Sequence, residues 1–421
     1  MTICIKGVRK ESMQREYGIK FKLISIHNVM LFFYIIVMVI GESNFMQYGF
    51  MNSFISCCKL ALLFSSMMYL LFLKRNIEMP KDIWFILLIG INVITMIPNG
   101  LEINFILLFM MIITSSKCSM ESIFKTFLIA FCVGCAIVFL SSAFNIISDE
   151  INIRYSADFL SNLFLHSNRY ERHSFGFQFS NQVPFVIMTI YFVWIAWKQE
   201  YVKFYQHLIF EILNIYTFVC CGSRFVFIII VGTNILYYWV KIRYNKVKNG
   251  ELAKIEIFLI DSIFGIGTII SFLCVLFYQW IPKFMDIFFN FRLTNAFQAV
   301  KYYGFHLLGS GFDAGTFNGE MEIIVDNGYI MLFMQRGIIL GCAIILFWTY
   351  ITRTVAKNKN PYILIPIFMF AIENFVDYQV MSFHFIAFMC IVCHTDDELV
   401  KFTVHDKTNV KYLIAKEGTN S

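Results

Sequence analysis

Two stretches of this 421-residue sequence hold most of its capacity for polar chemistry. In RHSFGFQFSNQ, residues 172–182, Arg172, His173, Gly176 and Asn181 crowd together just before an apolar run. The planar fork of Arg172 suits a pair of phosphate oxygens. His173 can move a proton near neutral pH. A solvated Arg and a helix-capping Asn are the plainer reading of the same residues. The second stretch, FRLTNAFQAVKYYGFHLLGSGFDAG, starts at Phe291 and is followed by IIVDNGYIMLF. Arg292 opens an amphipathic segment, and Gly309 and Gly311 permit tight turns that aim amides at an anion. Asp326, Asn327 and Tyr329 stand where the next apolar run begins, and Asp or Asn there equally well caps a helix.

Further charges lie close to or inside apolar runs. Ser223 and Arg224 fill a very short junction, which holds Arg224 at the membrane surface to meet lipid headgroups or a substrate diphosphate. Glu211, Asp261, Arg336 and Glu373 are costly in lipid unless paired or facing water. Glu373, with Asp377 just beyond, has the chemistry of a base or a sugar-hydroxyl acceptor; Arg336 is expected to pair with it as structural glue. Lys59 is expected to snorkel outward. Cys390, Cys393 and His394 spell CxxCH, the haem c spacing, but close the last apolar run on the inner side, where haem c is not attached. No HExxH, no paired CxxC and no Walker loop occurs, so neither a metal nor ATP is expected.

The elements that must position these residues are membrane helices. The chain is 58% hydrophobic and 15% charged, against roughly 25% charged in a soluble domain. Apolar runs near spanning length recur without the alternation of a barrel strand. Most of the 12 cysteines, Cys57, Cys58, Cys132, Cys135, Cys220, Cys221, Cys274 and Cys342 among them, lie in or beside these runs and read as small buried hydrophobes rather than bridges. Spans are expected at 23–41, 54–73, 83–97, 103–116, 126–147, 182–197, 206–222, 225–240, 255–280, 328–351, 361–377 and 379–395. Of 34 Lys and Arg, 25 then fall on one side and six on the other. That bias predicts twelve spans with both termini cytoplasmic. It also accounts for the net charge of +6 without a nucleic-acid partner. The polar residues 1–22 give no sign of a cleavable leader, 23–395 form the membrane domain, and 396–421 a cytoplasmic tail. The fold expected is an all-α polytopic bundle of about twelve helices with two longer outer loops, 148–181 and 281–327. Their aromatics argue for order, as short interfacial helices roofing the bundle.

RHSFGFQFSNQ (172–182), CGSRF (221–225), FRLTNAF (291–297), GSGF (309–312) and DNGYIMLFMQRGI (326–338), in this order, resemble the Wzy-type polysaccharide polymerases within the O-antigen ligase and polymerase group. The resemblance covers residues 20–395. Cys221 and Gly222 stand where that group has a small hydroxyl residue before the Ser-Arg pair, which leaves Ser223 less defined than Arg224. The resemblance implies inverting glycosyl transfer on the outer face of a bacterial cytoplasmic membrane. Donor and acceptor are glycans on undecaprenyl diphosphate, with no cofactor, nucleotide sugar or metal. A chain-length regulator and a flippase of the same pathway are implied partners. Without a metal, arginines must stabilise the leaving diphosphate, and Arg172, Arg224 and Arg292 are the available cations. His173, then His306, then Glu373 are the candidates to accept the hydroxyl proton. Asn181, Ser223, His306, Gly309, Gly311, Asp326, Asn327 and Tyr329 join Arg224 as substrate contacts. The alternatives are an O-antigen-type ligase, which hands finished chains to another acceptor, and a lipid-linked oligosaccharide flippase; a structural scaffold is a further class.

Overall fold

Backbone amides cut off from water must bond within their own segment, and the apolar runs do so as helices. A computed structural model describes residues 26–73, 90–95, 103–155, 169–246, 262–288, 291–310, 325–358, 360–394, 398–399 and 402. The expected segment 1–22, most of the expected span 83–97, nearly all of the tail and Gly311 lie outside the described residues. In chain order the helices are α1 (Ile26–Gly41), α2 (Gly49–Leu73), α3 (Ile103–Thr114), α4 (Met120–Ala143), α5 (Gln182–Lys198) and α6 (Phe204–Cys221). Then come α7 (Arg224–Lys246), α8 (Ile263–Leu276), α9 (Lys283–Phe288), α10 (Arg292–Tyr303), α11 (Gly328–Lys357) and α12 (Pro361–Glu373). A mixed helical segment, Phe383–Cys393, closes the bundle. Among the described residues, α2, α4, α6, α7 and α11 are long and apolar enough to cross a membrane.

Local chemistry sets the ends. Ser119 caps α4 by accepting from Ser122 N, so the helix starts six residues ahead of the expected 126. Asn360 caps α12, with Pro361 in the first turn, where its missing N–H costs nothing. α6 ends on left-handed Gly222, at φ 67°. Between helices, small residues let backbones approach where lipid offers no hydrophobic drive. A Cβ on Gly134 of α4 would come within 3.1 Å of Val39 on α1. One on Gly267 of α8 would meet Tyr329 of α11 at 2.6 Å, and one on Gly232 of α7 would meet Met369 of α12 at 2.8 Å. Trp348 of α11 is fully buried, stacks on Phe264 and donates to Val380 O at 2.8 Å. The closing segment is fastened by His394, whose nitrogens reach Cys390 O and Cys118 O at 2.8 Å each. Both nitrogens of the CxxCH histidine are thus committed to backbone.

α11 is two helices in series. Gly337 breaks it, at φ 83° and ψ 169°. The break strands amides and carbonyls that the segment 304–310 then satisfies: Ile338 N donates to His306 O at 3.0 Å, Ile339 N to Leu307 O at 3.2 Å, and Ser310 N to Met334 O at 3.1 Å. A Cβ on Gly337 would lie 2.3 Å from Gly309 N. The two glycines therefore serve a backbone crossing. Gly309, at φ 94°, packs against this crossing rather than presenting its amide to an anion.

The two long loops differ. In the second, α9 and α10 are the short helices expected. In the first, the described residues form an antiparallel ribbon instead, β1 (Ile151–Tyr155) with β2 (Arg169–His173). INIRY and RYERH put β-branched or aromatic residues next to polar ones, a pattern that suits a pleated edge better than a helix face. The register pairs Asn152 with Arg172 and Ile151 with His173.

Candidate functional site

One end of the bundle gathers the ribbon, the last turn of α1, the end of α6, the start of α5, α10 and α11, and the end of α12. Ser43 bridges to Phe177 there, and Asn44 Nδ2 donates to Ser148 O at 2.8 Å. The polar residues of both loops meet at this end, so it is the candidate site.

On the ribbon, Arg172 is half-buried and its Nε donates to Cys221 O at 2.5 Å. That carbonyl is the last of α6, where the helix dipole favours a cation. Ser223 and Arg224 follow directly, beyond Gly222. Next to Arg172, His173 Nδ1 lies 2.7 Å from Asp149 Oδ2. The other oxygen of Asp149 accepts from Ser174 N at 2.9 Å and Phe175 N at 2.7 Å. The carboxylate is therefore locked by backbone and holds the imidazole by one nitrogen. Asp149 was not among the residues singled out from sequence. Its position just after an apolar run, 24 residues from His173, gave only a spatial signal.

Asn181 does not cap α5, and its side chain makes no cap bond. Instead its Nδ2 donates to Asp377 Oδ2 at 3.3 Å, tying the first loop to the end of α12. Asp377 borders Arg292, the first residue of α10. Arg292 pairs its Nε with Asp326 Oδ2 at 3.0 Å and donates through a terminal nitrogen to Val376 O. Burial pushes the Asp377 carboxyl up to about 6; Arg292 pulls it down and Asp326 pushes it further up. Glu373, one turn earlier, also feels Asp377 and Arg292. It is only 1% exposed, and its Oε2 finds no hydrogen-bond partner among the described residues. Arg336, expected as its partner, lies with its guanidinium 4.1 Å from the Phe105 ring centroid.

Glu42, at the end of α1, belongs to this end as well. Its Oε2 lies 3.5 Å from His384 Nε2, and His384 Nδ1 lies 2.5 Å from Ser382 Oγ. Burial pushes the Glu42 carboxyl up to about 8, with Asp377 adding and Lys59 opposing. The side chain is still 31% open, so it exchanges protons with its surroundings. Lys59 Nζ stands beside Gly41: a Cβ there would meet it at 3.9 Å. A lone acid at the end of an apolar run was the one available signal for Glu42.

The structure thus brings together Arg172, His173, Asn181, Ser223, Arg224, Arg292, Asp326 and Glu373 at one end. It commits others to packing. Asn327 is 4% exposed, caps α11 at Ile330 N and donates to Ser271 Oγ at 3.2 Å. Tyr329 is fully buried, with its hydroxyl on Ala371 O at 2.7 Å. His306, by contrast, is exposed at the surface, with Nε2 2.9 Å from Tyr303 O. Among the described residues, no group of three or more His, Cys, Asp and Glu is arranged to hold a metal ion. No family model, no curated protein and no solved structure matches the chain.

Proposed function

We propose that this protein is a metal-independent glycosyltransferase, a polymerase that joins oligosaccharide units carried on undecaprenyl diphosphate. In this reading it has twelve spans with both termini in the cytoplasm of a bacterium, and the ribbon and α10 face outward. The observation that carries it is the convergence of two loop arginines on one end of a membrane bundle. Arg172 and Arg292 are each fixed by a backbone carbonyl, and Asn181 joins their surroundings through Asp377.

Transfer forms a bond from the acceptor hydroxyl oxygen to the donor's anomeric carbon. It breaks that carbon's bond to the diphosphate, which leaves with the electron pair. The guanidiniums stabilise the charge that develops on the diphosphate. The hydroxyl proton passes to His173, whose orientation Asp149 fixes and whose charge it offsets once the imidazolium forms. Both substrates are lipid-anchored and approach sideways from the bilayer.

In a strain lacking the native protein, Arg172→Ala and Arg292→Ala should each insert normally but leave single repeat units unpolymerised. The rate should fall about 10²–10³-fold per lost donor. Lys should rescue only in part, because a point charge lacks the two-pronged geometry. Normal long chains from both Ala variants would end the proposal. The break at Gly337 favours one second reading, a flippase, since transporters place discontinuous helices at their substrate sites. The amides freed at this break are already taken by His306 and Leu307, which keeps the polymerase ahead. Units that pile up on the inner leaflet after deletion would reverse that order.

A further inference from the structure

Between α1, the start of α3 and the turn before Phe383 lies a cavity of 240 Å³ that the transfer step leaves unused. Its wall offers two kinds of surface. Glu42, Asn104, Gln379 and Ser382 bring hydrogen-bonding groups, and Phe105 and Tyr34 bring flat rings. Phe105 is braced by the Arg336 guanidinium. Tyr34 is the informative residue. It is fully buried, and its hydroxyl finds no partner among the described residues. Buried tyrosine hydroxyls usually have a partner, so one without it at a cavity wall points to a polar occupant. Glu42 is the reverse case: it is open to the cavity yet held from behind, since His384 contacts it and is itself fixed by Ser382.

We infer that this cavity binds a single uncharged sugar ring of the glycan substrate. Ring hydroxyls match a carboxyl group, two carboxamides and two hydroxyls, and the C–H face of the ring matches an aromatic side chain. The volume of 240 Å³ has room for one ring. Charge sorts the substrate along the same surface. No Lys or Arg is among the described residues that line the cavity, whereas Arg172 and Arg292, which attract a phosphate, lie outside it. The inference rests on the polymerase reading only for which glycan delivers the ring.

The test uses the full-length protein in detergent and a panel of methyl glycosides of neutral hexoses, 6-deoxyhexoses and N-acetylhexosamines. Binding is followed by saturation-transfer NMR and by ligand-induced shifts in thermal midpoint. At least one glycoside should bind, and Tyr34→Phe and Gln379→Ala should each weaken it about tenfold or more. Without sugar, Tyr34→Phe should melt at or above the wild-type temperature, because it deletes a hydroxyl that lacks a protein partner. A purely packing role for Tyr34 would not produce that split. A panel that never binds wild type, or that binds Tyr34→Phe as tightly, overturns the inference. Glycoside binding by a wild-type protein that makes no polymer from lipid-linked units would keep the cavity and remove the polymerase. Arg292→Ala should bind the glycoside and make no polymer, in keeping with both.

Discussion

Replacing Gly337 with Ala tests whether the crossing of α11 and the segment 304–310 holds the polar end together. The new Cβ would lie 2.3 Å from Gly309 N, 2.5 Å from Leu307 O and 2.5 Å from the Leu308 carbonyl carbon. All three are backbone atoms, so no rotamer change relieves the overlap. The φ of 83° with extended ψ is nearly restricted to glycine and costs another residue about 1–3 kcal/mol. Moving the loop away would break the bonds from Ile338 N, Ile339 N and Ser310 N, each worth about 1 kcal/mol net. The expected loss is therefore about 4–6 kcal/mol. Two controls grade the effect. Gly304→Ala meets nothing within 4 Å but keeps a φ of 67° with ψ −170°, the same glycine region, so it should cost only that backbone strain of about 1–3 kcal/mol. Gly265→Ala, also without neighbours within 4 Å and on a helix, should be neutral or stabilising by up to about 1 kcal/mol. Thermal unfolding in detergent, with limited proteolysis of residues 304–310, reads the series. If Gly337→Ala unfolds with Gly304→Ala and resists protease like wild type, the crossing is not what fixes the loop.

Two more outcomes follow from the geometry of the site. Asp149→Asn should lower polymer formation at least tenfold, because an amide cannot hold His173 Nδ1 and accept from Ser174 and Phe175 as the carboxylate does. Combined with His173→Ala it should add little, and additive losses in the double variant would show that the pair does not act as a unit. Glu42, raised from 4.5 to about 8, holds its proton in the folded protein at pH values where the unfolded chain releases it. Its contribution to stability is then complete below about 4.5 and is lost as pH rises through about 8. Thermal midpoints should fall across that window, in the setting of Lys59, Asp377 and His384, and Glu42→Gln should flatten the curve; an unchanged slope would assign the titration elsewhere.

The sequence was legible where a single run of residues decides the outcome. Hydropathy located the helices, and the amphipathic segment after Arg292 is α10. Ends were less legible because caps decide them: Ser119 and Gly222 override the edge of the apolar run. The first loop was misread because a ribbon takes its identity from pairing between distant residues, here Asn152 with Arg172. The site shows the same division. Residue type flagged Arg172, His173 and Arg292. Their partners Asp149, Val376 and Asp377 come from remote positions, and no local pattern marks them. Asn327 and Tyr329 were flagged for polarity, yet their polar atoms serve helix packing. Gly309 was flagged for its amide, yet it makes room for a second backbone.

α2 has 25 residues, so at ~1.5 Å per residue it is longer than the ~30 Å hydrocarbon layer. Only 17% of its apolar window is buried against the protein, compared with 67% for α11, and Phe50, Phe54, Phe64 and Phe72 point away. Among the described residues it packs chiefly on α3, and a helix longer than the layer around it accommodates by tilting. Its leading edge is not free in the same way, because Tyr48 donates to Ile146 O at 2.7 Å beside the ribbon. A tilt of α2 is thus carried to the polar end through the Tyr48 contact, one residue ahead of the helix.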